Sequence, residues 1–109
     1  MDALIEFLLG VANDAHKAHL ATTSYAEHQA LGAFYEGIRA DADPLFEALI
    51  GMGNLPSPNE ENLVAMLQER YVELQQMRGV CDGDPAAENL FDTVSAHFLS
   101  AIYKLSRLR

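Results

Sequence analysis

The stretch His16-Lys17-Ala18-His19-Leu20-Ala21-Thr22-Thr23-Ser24-Tyr25-Ala26-Glu27-His28-Gln29-Ala30-Leu31 decides the fold. Before it, Leu4, Ile5, Leu8, Val11, Ala12, Ala15 and His19 recur at the spacing of one helix face. Thr22, Thr23 and Ser24 interrupt that face, and Ser24 with Glu27 reads as a capping box that starts a new helix at once. Two helices joined by so short a turn form an antiparallel hairpin. The first spans about residues 3–21, with Asp2 as its expected N-cap.

Working outward, Leu31, Phe34, Ile38, Ala42, Leu45 and Leu49 continue one apolar phase through a second helix of about residues 25–51. Pro44 either kinks this helix or, with Asp43 as cap, begins a new one. The unbroken phase favours the kink. Ser57, Pro58 and Glu60 then predict a third helix over 58–78, with Leu63, Val64, Leu67, Tyr71 and Leu74 on its apolar face and Gly79 as its stop. Asp84 and Pro85 predict a fourth over 85–107, lined by Leu90, Phe91, Val94, Phe98, Ile102 and Leu105. The expectation is an all-α, four-helix bundle forming a single domain of residues 1–109. A connection of seven residues after Gly51 reaches at most about 25 Å. A long second helix spans about 39 Å, so up-down-up-down order is expected.

The chain carries a formal charge of −9, from 16 acidic and 7 basic residues. Phosphate binding needs clustered cations, and only Lys104, Arg107 and Arg109 gather locally, where they suit the negative end of a helix dipole. Direct nucleic-acid binding is therefore not expected. No apolar run is long enough for a membrane span, and Met-Asp-Ala-Leu-Ile-Glu lacks a basic leader, which points to the cytoplasm. The one cysteine, Cys81, has no intramolecular disulfide partner. Catalytic Ser-His-Asp order, phosphate-cradling glycine loops and paired CxxC motifs are absent.

What remains is a set of histidines and carboxylates. His16, His19 and His28 flank the first turn, while Glu36, Asp43 and Glu47 follow 8, 15 and 19 residues after His28, on one broad side of a helix. Imidazole nitrogen with carboxylate oxygen suits iron, manganese or zinc. Each residue also has a plainer use: His19 lies on the apolar stripe, and the three carboxylates suit a solvated acidic face. His19 and His28 stand level across the turn, with His16 a turn lower. Asp43 lies 15 residues beyond His28, or about 22 Å along a helix, so one chain cannot bring both to one ion.

The segment Ala18–Leu31 resembles the first hairpin of ferritin-like proteins, and in particular the DNA-protecting Dps family and its small bacteriophage relatives. His16 and His28 are 12 residues apart, as in that family, and Asp43 and Glu47 match its later ligands. The shorter His19-to-His28 interval with Ser-Tyr-Ala-x-His is similar to the phage relatives. The family's aspartate four residues after the second histidine is Gly32 here, and Glu36 is its candidate substitute. The resemblance implies a homodimer or higher homo-oligomer pairing helix two with its mate near Gly37, an iron site shared between subunits, and Fe(II) oxidation or sequestration in the host cytoplasm or virion. The other expectation is a non-enzymatic acidic helical protein, an adaptor, inhibitor or virion-associated component, that engages a basic protein partner on the same scaffold.

Overall fold

The computed structural model describes residues 1–108. Four α-helices carry the chain, with no strand among the described residues: α1 (Asp2–Ala21), α2 (Tyr25–Gly51), α3 (Leu63–Gln76) and α4 (Pro85–Arg107). A 3-10 turn at Arg78–Cys81 precedes α4. The chain divides into two compact units, Met1–Pro58 and Asn59 onward. No described helix is long and apolar enough to cross a membrane.

The first unit is the hairpin of α1 and α2. His19 meets His28, His16 meets Tyr35 and Asn13 meets Arg39, so the two helices run antiparallel. Their shared face buries Ala12 and Ala15 of α1 against Gly32, Ala42 and Phe46 of α2. Four of these five residues are Ala or Gly, which lets the backbones approach closely. In the turn, Ser24 Oγ accepts the Glu27 amide at 3.3 Å, as a cap should. The carboxylate half of the expected capping box is rerouted: Glu27 accepts from Thr22 Oγ1 at 2.6 Å, and Thr22 Oγ1 in turn accepts the Ser24 amide at 3.1 Å. α2 passes unbroken through Pro44. Ala40, whose carbonyl the proline leaves without its helical donor, is exposed to water, which can replace that bond. Asp43 is therefore a helical residue and not a cap.

Two expected caps belong elsewhere. Asp2 is the first residue of α1, not its N-cap. Its carboxylate accepts both the amide of Ser57, at 2.9 Å, and the Ser57 hydroxyl. These bonds hold the Asp2 carboxyl below its ordinary range. Ser57, so engaged, does not cap a helix, and the third helix begins at Leu63 instead of residue 58. Asn59 Oδ1 bonds the Glu61 amide at 3.0 Å in a local turn, and Asn62 Oδ1 then caps α3 through the Ala65 amide at 3.0 Å.

The second unit is the hairpin of α3 and α4. α3 ends at Gln76, and the left-handed stop falls on Asp82 (φ 52°) and Gly83 (φ +73°), not on Gly79. Asp84 caps α4 through the Ala87 amide at 3.0 Å, with Pro85 in the first turn as expected. Arg78 closes this hairpin. Its Nε and Nη2 grip both Asp92 oxygens at 2.9 and 3.0 Å, and its Nη1 reaches Glu88 at 2.8 Å. Further along, Gln75 donates to buried Ser95 at 2.9 Å, and the Tyr71 and Phe98 rings lie 6.5 Å apart.

Two predictions follow from this bonding. Asn62→Ala should cost about 1 kcal/mol in urea unfolding, the usual loss for an asparagine N-cap. Glu60→Ala, which would remove the partner residue in the expected box, should cost nothing measurable. The second concerns acid. The Arg78 guanidinium holds the Asp92 carboxyl below its unfolded value, so this stabilisation is complete at neutral pH and disappears as pH falls through the folded value. Melting temperatures followed into acid should fall less steeply for Asp92→Asn than for wild type.

Candidate functional site

The closed end of the first hairpin holds most of its ring chemistry. α1 ends at Ala21, so the carbonyls of its last turn lack helical donors. The Thr22 amide serves that of Ala18 at 2.9 Å. The carbonyl of His19 is served by a side chain: His28 Nδ1 lies 2.9 Å from it. In return, His19 Nδ1 lies 2.6 Å from the carbonyl of His28. Carbonyls only accept, so both Nδ1 atoms carry hydrogen and donate. The two rings stack at a centroid distance of 3.6 Å, their planes 18° apart.

His16 makes a different set of contacts. Its ring stacks on Tyr35 at 4.1 Å and meets His19 edge-on at 6.1 Å. Arg39 Nη1 lies 3.2 Å from His16 Nδ1, while Arg39 Nη2 donates to Asn13 Oδ1 at 2.9 Å. The guanidinium carbon also stands 5.2 Å from the centre of the Tyr35 ring. A guanidinium only donates, so His16 Nδ1 accepts, and the hydrogen of the neutral ring is on Nε2.

The carboxylates are elsewhere. Glu36, Asp43 and Glu47 are exposed, and Asp43, one turn beyond Arg39, lies on the Arg39 flank of the hairpin. Glu47 is 19 residues beyond His28, about 28 Å along the helix. Among the described residues, no three of His, Cys, Asp or Glu are grouped to hold a metal ion.

A single chain therefore does not fit the expected metal. An ion lies in the plane of each imidazole that binds it, at about 2.0–2.1 Å from nitrogen. Two rings stacked 3.6 Å apart and nearly parallel have no common point at that distance. His19 and His28 so stacked cannot chelate one ion together. His16 has no free lone pair, and the fixed charge of Arg39 beside it repels a cation. The chemistry the rings do perform is to close the hairpin.

Tyr35, Arg39, Asn13 and Gly32 belong to this cluster, although only the hairpin register marks them. Gly32 is buried, and a Cβ there would sit 3.1 Å from His19 Cε1 and 3.3 Å from its Nδ1. The position of the expected aspartate ligand is thus the seat of the His19 ring.

The open flank of the same hairpin has different chemistry. Leu8 of α1 and Phe34, Gly37, Ile38, Asp41 and Leu45 of α2 line a groove of about 430 Å³. The large apolar side chains of Phe34 and Leu45 are 46% and 43% exposed. A Cβ at Gly37 would meet nothing within 4 Å.

Residues 19–105 match a family described as a family of unknown function, DUF5856, and the chain belongs to that family. No curated protein and no solved structure matches it.

The two glycines of α2 should respond oppositely to alanine. At Gly37, in open space, alanine should raise stability by about 0.5–1 kcal/mol through helix propensity. At Gly32 it presses on a ring held by stacking and a hydrogen bond, so Gly32→Ala should lower stability. In a His19→Ala background the same change should become stabilising, a coupling that a double-mutant cycle in urea would read.

Proposed function

We propose that this member of the DUF5856 family is a non-enzymatic, acidic helical protein that acts by binding another protein through its first hairpin. The observation that carries this reading is the apolar groove on the α1–α2 hairpin, where Phe34 and Leu45 are exposed. Contiguous exposed apolar surface on a small protein marks an interaction site. The charge points to the partner's character, because residues 1–58 hold eight carboxylates against Lys17 and Arg39. A protein of net charge −9 attracts basic surfaces over distances of a Debye length and repels nucleic acid and other acidic surfaces.

The iron reading needs two copies. It would bring exposed Asp43 and Glu47 of one chain to His28 of another through helix two, with manganese or zinc as substitutes for iron. Each histidine of the pair has an Nε2 atom not used in the reciprocal bonds, and an Nδ1 fixed by a carbonyl is how ligating imidazoles are commonly oriented. Only one of the two stacked rings could serve a given ion.

Anaerobic titration with Fe(II), followed by oxygen, separates the two readings. For a binding protein, uptake should be weak, unsaturable and the same in wild type, His28→Ala and Glu47→Ala. Saturable binding near one ion per chain or per pair of chains, lost in both variants, would restore the metal site and sink the first reading. Light scattering on the same samples should show no iron-dependent dimer.

A further inference from the structure

We draw no further inference here: the strongest candidate, the apolar groove of the first hairpin lined by Leu8, Phe34, Ile38 and Leu45, belongs to the site already described, and nothing in the structure shows what covers it.

Discussion

The first hairpin depends on the exchange between His19 and His28. A helix that ends in a three-residue turn leaves carbonyls without helical donors. Here a ring from each helix donates to a carbonyl of the other, and the two rings stack as they do so. That reciprocal bond sets the register of α1 against α2. With the register set, His16 meets Tyr35, Arg39 reaches Asn13, and Gly32 comes under the His19 ring. At the open end of the hairpin, Asp2 holds Ser57 and ties the exit of α2 back to the start of α1. Both ends are closed by polar contacts, and small residues fill the middle.

The same construction limits the chemistry available. Imidazoles that lock a hairpin by stacking are not placed to converge on an ion, because coordination requires their planes to meet at the metal. Arg39 reinforces this by using the lone pair of His16 and adding a positive charge beside it. The acidic residues that would complete a site are exposed along α2 and, among the described residues, are not grouped with the histidines. What the hairpin does present is apolar surface. Its buried face is narrow, and the side chains of Phe34 and Leu45 fall outside it. Function is therefore best sought in what covers that flank.

The second hairpin is held by a comparable device of different chemistry. Arg78 grips Asp92 with two nitrogens and Glu88 with a third, across the turn that contains Asp82 and Gly83. The pairs are partly or well exposed, so they contribute modestly to stability but strongly to geometry. Both hairpins thus place their most directional polar contacts at the turn. Apolar burial alone would let two such short stripes slide by a helical turn.

Much of the fold was legible from residues alone. The existence of four helices, the Ser24 cap, the Asp84-Pro85 start and the continuity of α2 follow from signals within three or four positions, whereas Phe34, Leu45, Leu90, Val94 and Leu105 of the expected stripes are exposed. The levelness of His19 and His28 was legible too, since it depends only on helix rise and a short turn. What the rings do there was not. Whether they face a metal or each other depends on the distance between helix axes, which Gly32 and the buried alanines set. Ser57 shows the same limit most plainly. Its neighbours Pro58 and Glu60 spell a helix start, but Asp2, 55 residues away, takes both its amide and its hydroxyl. The sequence determined which segments are helical and which side chains could bond. The tertiary structure decided which of two competing partners each polar group took, because that choice depends on distances a linear order does not contain.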